Sequence, residues 1–527
     1  MSKPEQADVV GDVEKASVHN FEDAATPGVI VKEDSHALHG IDPKKETALR
    51  RKIDLRIMPI ISLIYLFCFI DRANIGNARV AGLEADLGMS GLDYSVLLAC
   101  FYATYTAFEF PLQMINKWIG PGKMIPILAF LFGIFSLCMT FVESYGSAIA
   151  VRLLLGIAEG GVFPGLAYFE SLLSRFYRKD ELGFRLSCYI VCAPLAGAFG
   201  GLLASGLLSI DNIGAYSGWR NIFLVRLHSG HFPLARSDEL FRQVEGVITC
   251  GIAIISWFIL PDRPEVCKWL SPEERALAEA RIKAENVGQS TAIDSMHWQT
   301  VKDGVWNPTT MVCALIFLFN NTTVQGVGFF LPTIIRTIYP GKTAIQVQLF
   351  SVPSYVVGAF TTLLTGYLSF KTKKRGLYML LSAPFVCVGY IMYLATMDAQ
   401  VRFAASFMVA IGAFSFGALC NAWAAANVAS DTARAAAIGT VVAFGNCGGL
   451  IAGWTFLPKD GPEYVPGNAF NLAGSTTMFI LAGGLWWWQA KENRAKERGR
   501  DDHYLEGRTE EEIRMLGTRH PAWRYSY

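Results

Sequence analysis

Charged residues are scarce in this sequence, and their scarcity argues against an ordinary soluble protein. Of its 527 residues only 17% are Asp, Glu, Lys or Arg, while 52% are hydrophobic. A soluble chain of this length usually carries about 25% charged residues. A surplus of one sign is also missing, because the net charge is +1. Such a balance provides no overall basic field for nucleic acid, so we expect no nucleic-acid partner.

Paired cysteines and clustered histidines are missing as well. The 11 cysteines form no Cys-x-x-Cys pair and mostly lie within apolar runs, which is typical of buried thiols rather than a disulfide framework. The eight histidines lie outside the uninterrupted apolar runs, which argues against haem or a histidine metal site. The sequence offers no nucleophile–base pair either. We therefore expect no metal, no cofactor and no enzymatic activity.

Long apolar runs are what the sequence has instead. They recur with lengths of about 20 residues, enough for a helix to cross roughly 30 Å of hydrocarbon. The first 50 residues are polar, and they contain no pattern of a cleaved signal peptide. We predict an all-α membrane protein with twelve transmembrane helices. The predicted spans are 55–77, 92–115, 122–142, 147–170, 184–208, 219–260 (interrupted), 308–338, 344–368, 375–396, 402–426, 434–456 and 469–490.

The polar segments divide the chain into five parts. Two six-helix halves separated by a charged link predict a central solute path between the halves. Within the link, Ser271 precedes Pro272 and Glu274 with the spacing of a capped helix start. The predicted parts are a disordered cytosolic tail at 1–52, an N-terminal half at 53–260, a cytosolic linker with a helix at 261–307, a C-terminal half at 308–490 and a cytosolic tail at 491–527.

The placement of basic residues predicts the orientation. Loops that follow even-numbered spans are richer in Lys and Arg than loops that follow odd-numbered spans, and cytoplasmic loops carry this excess. Both termini are therefore predicted to be cytosolic, and we expect a monomer in the plasma membrane. The basic residues of the even-numbered loops are Lys117, Lys123, Arg175, Arg178, Lys179, Lys371, Lys373, Lys374 and Arg375.

Five ionisable residues lie inside the first-half spans. They are Asp71 and Arg72 in "FIDRANIGNAR", Glu109 in "FYATYTAFEFP", and Arg152 and Glu159 in "RLLLGIAEGGVFPG". Each charge at mid-bilayer costs roughly 2.5–3.5 kcal/mol on insertion scales, so each should face a cavity or a partner. For each group two interpretations stay open. Arg152 and Glu159 either serve transport or only hold helices together, Asp71 and Arg72 could be an interfacial pair, and Glu109 could belong to a helix interface.

Span four also carries small residues, and span seven and the end of span ten carry polar ones. Arg152 and Glu159 are seven positions apart, so they share one helix face at a separation of about 10 Å. Between them Gly156-x-x-x-Gly160 permits close helix approach. The polar run "NNTTVQG" at 320–326 could line the path or bond neighbouring helices. Trp423 and Asn427 could bind a ring-bearing acid or only pack.

These motifs together resemble the anion:cation symporter family of the major facilitator superfamily, and most closely its fungal branch of allantoate, nicotinate and pantothenate permeases. The likeness covers roughly 53–490. It also rests on "GWR" at 218–220, "LPDRPE" at 260–265, "VPSY" at 352–355, "NAWAAANVASDTARAAA" and "GNCGG". The resemblance implies that Asp71 and Glu159 are protonatable carboxylates and that Arg72 and Arg152 meet an anionic substrate. It further implies that Tyr105 and Asn446 line the site.

The predicted function is that of a proton-coupled symporter for a small organic carboxylate, working by alternating access in a lipid bilayer. A carboxylate needs cationic, desolvated donors, which paired arginines provide. The predicted substrate-binding residues are Arg72, Arg152, Tyr105, Asn446, Asn427 and Trp423, and the predicted proton-coupling residues are Asp71, Glu159 and Glu109. The alternative is a nutrient receptor with the same fold that signals, with or without transport.

Span six is interrupted by residues 225–243, "VRLHSGHFPLARSDELFRQ". This insert carries several charges that cannot lie in hydrocarbon without a cost of a few kcal/mol each. Joining Leu224 to Val244 gives one uninterrupted apolar span. The 19 residues correspond to 57 nucleotides, a multiple of three, and Val and Gln codons can carry the ends of an intron. We predict a retained intron translated in frame, whereas a genuine extracellular loop is the alternative.

Overall fold

The computed structural model describes residues 42–162, 176–177, 185, 188, 190–209, 219, 245–262, 264–285, 298–429, 431–508 and 516–526. Each of the twelve predicted spans contains a helix within these residues, and we number those helices in chain order. They are α1 (Pro43–Val80), α2 (Asp93–Ile119), α3 (Pro121–Cys138), α4 (Tyr145–Val162), α5 (Cys192–Leu208), α6 (Glu245–Ile259), α7 (Pro308–Ile338), α8 (Ala344–Thr372), α9 (Arg375–Ala395), α10 (Ala399–Ala426), α11 (Asp431–Ala452) and α12 (Val465–Glu497).

Seven helices in the described residues are long and apolar enough to cross a membrane. The helices Cys192–Gly206 and Gly246–Ile259 are apolar but shorter. The chain is therefore a multi-pass, all-helical protein in the part that is described. The full count of twelve membrane-spanning helices stays a prediction.

The first helix begins earlier than predicted, so the boundary of the N-terminal tail at residue 52 is wrong. α1 starts at Pro43, because the Asp42 side chain accepts a hydrogen bond from the Lys44 backbone N–H at 2.9 Å and proline fits the first helical turn. Leu49 is already buried in the core. Residues 1–41 lie outside the described residues.

The helix predicted in the linker is present and packs against this early part of α1. It spans Pro272–Glu285, and Ser271 and Glu274 exchange the reciprocal hydrogen bonds of a capping box. Glu274 pairs with Lys52 at 2.6 Å, and Arg281 pairs with Glu46 at 2.8 Å. These ion pairs explain why polar residues before position 53 are helical: their charged faces are satisfied by the linker.

Glycines allow α4 to approach α2 closely, as the spacing of small residues predicts. A Cβ added at Gly160 would lie 2.7 Å from the backbone oxygen of Tyr105. A Cβ at Gly156 would overlap the backbone oxygen of Phe101 and the side chain of Thr104. Only a residue without a side chain fits at these two crossings. The close crossing places α4, which carries Arg152 and Glu159, directly against α2.

The two halves meet at the end of the bundle where α1 and α7 terminate. Arg336 donates a hydrogen bond to the backbone oxygen of Val80, and Gln348 donates one to the backbone oxygen of Asn77 at 3.3 Å. Gly76 lies so close to Phe329 that a Cβ there would be 2.5 Å from its carbonyl oxygen. These contacts close this end of the path between the halves.

Two further predicted boundaries concern the end of the C-terminal half and the insert. α12 continues to Glu497, past the boundary predicted at residue 490, and residues 516–526 fold back onto it. The predicted insert at 225–243 lies outside the described residues. Helix α6 begins just after it, at Glu245.

Candidate substrate-binding and proton-coupling site

Asp71 and Arg72 are neighbours on α1 but contact different partners, because successive residues of a helix point about 100° apart. Arg72 donates through Nε to Oε2 of Glu159 at 2.8 Å. The Cys68 thiol donates to the same Glu159 oxygen at 3.2 Å. Arg72 and Glu159 are 3% and 0% exposed, so the pair lies in the interior of the protein. Such a pair is held together by charge neutralisation, since an isolated buried charge is costly.

Aromatic rings surround the Arg72 guanidinium. Its carbon lies 4.9 Å from the ring centre of Tyr105, 5.3 Å from Phe101, 5.4 Å from Phe69 and 5.9 Å from Tyr102. Planar guanidinium groups stack favourably on aromatic faces. Tyr105 therefore contacts Arg72, although it is not among the described residues that line the cavity below.

Asp71 pairs with a different residue of α4 and with a residue of α3. One carboxylate oxygen accepts a hydrogen bond from Ser136 at 2.5 Å, and the other lies 3.8 Å from Nη1 of Arg152. The four buried charges thus form two separate ion pairs, Arg72 with Glu159 and Arg152 with Asp71. Each pair joins α1 to α4.

A central cavity lies between the two halves, and part of it is continuous with solvent. Both halves contribute its walls, which are mainly apolar with a few polar groups. The lining residues are Tyr65, Phe69, Arg72, Ile190, Ala193, Pro194, Phe317, Asn320, Asn321, Val324, Gln325, Ala413, Phe414, Gly417, Val442 and Asn446.

Three amides of α7 line the cavity together with Arg72. Asn320 is 1% exposed, and its Oδ1 has no hydrogen-bond partner among the described residues. Asn321 donates to the backbone oxygen of Gly445 at 2.6 Å, and Gln325 contacts Asn321 at 3.5 Å. The polar run at 320–326 therefore does contribute to the path. Sequence reasoning left it undecided, because Asn and Thr bond neighbouring helices as readily as they face a cavity.

Asn446 lines the cavity and also joins the halves. Its amide donates to Oε2 of Glu109 at 2.6 Å, so that a carboxylate of α2 is hydrogen-bonded to α11. Glu109 is 4% exposed, and within the described part of the chain its second carboxylate oxygen has no hydrogen-bond partner. A change of charge at Glu109 would therefore alter the hydrogen bond that connects the two halves.

Four predicted substrate-binding residues do not line this cavity in the described structure, and Tyr105, which contacts Arg72, is one of them. Arg152 lies beside Asp71, since the 100° turn between positions 71 and 72 separates the two ion pairs. Trp423 donates to the Ser526 backbone oxygen at 2.9 Å, and Asn427 donates to the same oxygen at 2.9 Å. These two residues bind the end of the chain instead, a contact between residues about a hundred positions apart. Within the described residues no group of three or more His, Cys, Asp or Glu could hold a metal ion.

A sequence profile of the Major Facilitator Superfamily matches residues 61–226 and 244–454. The chain belongs to this superfamily. Its two matched ranges leave residues 227–243 without a counterpart in the profile, and this gap overlaps the predicted insert at 225–243. The origin of the insert in a retained intron stays a prediction.

Relatives within the superfamily are fungal transporters. The chain is 34% identical over 447 residues to an uncharacterised transporter of Schizosaccharomyces pombe, covering 84% of this chain and 83% of that one. It is 30% identical over 461 residues to the MFS-type transporter efuF of Hormonema carpetanum, covering 87% and 88%. These relatives support a transporter but name no substrate. The narrower resemblance to anion:cation symporters stays a prediction.

Solved structures of the superfamily confirm the predicted fold class. A bacterial homologue of the human lysosomal transporter Spinster, described as inward-facing and occupied, is similar with a TM-score of 0.56 at 17% identity. The similarity covers 81% of this chain and 95% of that one. The same protein described as unoccupied gives a TM-score of 0.55. This likeness shows the all-helical major facilitator fold, and the profile match together with the fungal relatives shows that the protein is a membrane transporter of this superfamily.

Proposed function

We propose that this major facilitator protein is a proton-coupled symporter of a small organic carboxylate. One observation carries the proposal: Arg72 lines the central cavity and is paired, in the protein interior, with Glu159. A carboxylate substrate and the Glu159 carboxylate would then use the same guanidinium. Proton binding and substrate binding are thereby linked at one residue.

The linkage follows from the cost of an uncompensated buried charge. While Glu159 is ionised, it neutralises Arg72, and an arriving anion meets a pair that is already balanced. Protonation of Glu159 removes that balance, and breaking a buried pair in this way costs about 3–5 kcal/mol. A substrate carboxylate that binds Arg72 restores the balance. Proton and anion therefore favour each other's binding, which is the requirement for symport.

The remaining predicted residues have supporting roles in this proposal. Asn446 and Asn320 provide hydrogen bonds from the second half, and Tyr105 holds the Arg72 guanidinium in place. Asp71 and Arg152 fasten α1 to α4, so that Arg72 stays aligned with Glu159. Protonation of Glu109 would alter its hydrogen bond with Asn446. Asp71 and Glu109 are the other candidate proton carriers.

Alternating access would work by opening the end where α1 and α7 terminate. The hydrogen bonds of Arg336 to Val80 and of Gln348 to Asn77 hold that end closed in the structure. With both termini cytosolic, as the basic loops predict, this end faces outside and the cavity is accessible from the cytosol. We propose that the protein works as a monomer in the plasma membrane, where small organic anions and protons are its partners.

Uptake into proteoliposomes tests the proposal. Under an inwardly directed proton gradient we expect accumulation of at least one labelled carboxylate from a panel of monocarboxylates. Nicotinate and nicotinamide provide a matched pair, because they share a ring and differ in the charge that Arg72 would bind. Accumulation that does not depend on the proton gradient would overturn the proposal, as would uptake of uncharged analogues in preference to carboxylates. Binding of a carboxylate without any flux would instead favour the receptor.

A further inference from the structure

The C-terminal segment at residues 516–526, here named the C-terminal strap, lies against the ends of α10 and α12. Asn493 of α12 accepts a hydrogen bond from the Tyr525 backbone N–H at 2.8 Å and donates to the Tyr525 backbone oxygen at 2.9 Å. Asn427, which follows α10, makes the same two contacts with Ser526, at 2.8 and 2.9 Å. Two side-chain amides therefore pair with the backbone of consecutive residues, as a neighbouring β-strand would.

Three polar residues form a row on one face of α12, and two of them, Asn493 and Lys496, bond the strap directly. Gln489, Asn493 and Lys496 are spaced by four and three residues, so their side chains lie in a row along the helix. Gln489 accepts a hydrogen bond from Trp423 at 3.1 Å. Lys496 donates to the backbone oxygens of residues 518 and 520, at 2.6 and 3.1 Å. The strap is thus held along its length mainly through its backbone.

Burial and ring packing complete the contact. Asn427 and Trp423 are fully buried with the strap in place, and Asn493 is nearly so. The Tyr525 ring packs on Trp488 with ring centres 5.2 Å apart. With the strap docked, the buried amides of Asn427 and Asn493 have hydrogen-bond partners in its backbone, as buried polar groups require.

We propose that Asn427, Asn493 and Lys496 form a peptide-binding groove and that the C-terminal strap is its detachable occupant. The strap joins the end of α10 to α12, and α10 lines the central cavity through Ala413, Phe414 and Gly417. Docking of the strap therefore fixes one end of a cavity-forming helix. The inference is independent of which substrate the cavity takes.

Two substitutions at one position test docking in the full-length protein. Ser526→Pro removes the backbone N–H that Asn427 accepts, whereas Ser526→Ala removes only the hydroxyl and keeps both backbone contacts. Hydrogen exchange in detergent is measured for peptides that cover the strap and the end of α10. We expect exchange of both to rise at least tenfold in Ser526→Pro and to stay at the wild-type rate in Ser526→Ala. Unchanged exchange in Ser526→Pro, or equal effects of both substitutions, would overturn the proposal.

A second experiment tests the groove itself. A protein that lacks residues 516–527 is titrated with a fluorescein-labelled peptide of residues 517–526, and binding is followed by fluorescence polarisation. We expect saturable binding that weakens at least tenfold when the protein carries Asn493→Ala or the peptide carries Ser526→Pro. Ser526→Ala in the peptide should bind as the native sequence does. Absence of saturable binding to a shortened protein that remains folded would contradict the groove, as would equal binding to Asn493→Ala. If the shortened protein does not fold, the exchange measurement decides.

Discussion

At the scale of single residues, the intramembrane charges were predictable and their partners were not. A charge within an apolar run stands out in the sequence, because burial without compensation is so costly. Which charge meets which partner depends on the rotation of α1 against α4, and the sequence carries no direct signal for that rotation. The family resemblance predicted that Arg152 binds substrate, and in the structure its Nη1 lies 3.8 Å from an Asp71 carboxylate oxygen.

The two arginines should respond differently to removal of their charge. We expect Arg72→Ala to abolish substrate binding, because the guanidinium that lines the cavity is lost. Arg72→Lys should retain weak binding, because it keeps a positive charge but lacks the planar guanidinium. Arg152→Ala should leave binding detectable but lower the stability by about 3–5 kcal/mol, since Asp71 stays buried without its cation. Isothermal titration and thermal unfolding in detergent separate the two effects. Loss of binding in Arg152→Ala at wild-type stability would contradict the assignment.

Asn320 offers a test of the second-half wall. Asn320 lines the cavity, and its Oδ1 has no hydrogen-bond partner among the described residues, so we expect a donor group of the substrate to use this oxygen. We expect Asn320→Ala to raise KM about tenfold, as loss of one hydrogen bond of roughly 1–1.5 kcal/mol implies. Asn421→Ala is the control, because Asn421 is a buried amide of α10 that bonds to the Gly417 backbone and does not line the cavity in the described structure. Equal effects of the two substitutions would remove Asn320 from the site.

At the scale of elements, helix positions were predictable from apolar runs, and their ends were less so. The early start of α1 was marked by Asp42 before Pro43, a capping signal that lay within a polar stretch. Trp423 and Asn427 were assigned to the cavity because nothing local to α10 indicates that residue 526 covers them. Contacts between distant segments of the chain are the information that a local pattern lacks.

The crossing of α2 and α4 should tolerate no side chain at Gly156. Alanine there would gain about 0.5–1 kcal/mol from helix propensity but would overlap the backbone of Phe101, and overpacking costs about 1–3 kcal/mol. We expect Gly156→Ala to lower the unfolding temperature. Gly439→Ala in α11, where an added Cβ meets nothing within 4 Å, should not lower it. A Gly156→Ala protein as stable as the wild type would show that the helices can separate at no cost.

The insert in span six should be dispensable. Deleting residues 225–243 joins two apolar stretches, and the superfamily profile matches the chain up to residue 226 and again from residue 244. We expect the shortened protein to reach the membrane and to transport at least as well as the full chain, measured by uptake in cells that express equal amounts. Sequencing the transcript provides the second measurement. A mature message that retains all 57 nucleotides and encodes an active carrier would refute the retained intron.

At the scale of the whole molecule, the fold was predictable because repeated apolar runs and a central polar link leave few arrangements. The conformational state, that is, which end of the path is closed, was not predictable from the sequence. Contacts such as Gly76 with Phe329 close one end of the path, and they depend on how the two halves are tilted. A carrier visits several such tilts with one sequence, so the sequence favours none of them.

The central claim is that Glu159 couples the proton to the substrate through Arg72, and Glu159→Gln tests it most directly. Glutamine imitates the protonated carboxyl group and cannot release a proton. The purified variant is reconstituted, and two rates are measured in the same vesicles: accumulation of labelled carboxylate driven by a proton gradient, and exchange of labelled for unlabelled carboxylate at equal pH. We predict that accumulation is lost while exchange persists. Accumulation at the wild-type level in Glu159→Gln would contradict the account and transfer the proton site to Asp71 or Glu109.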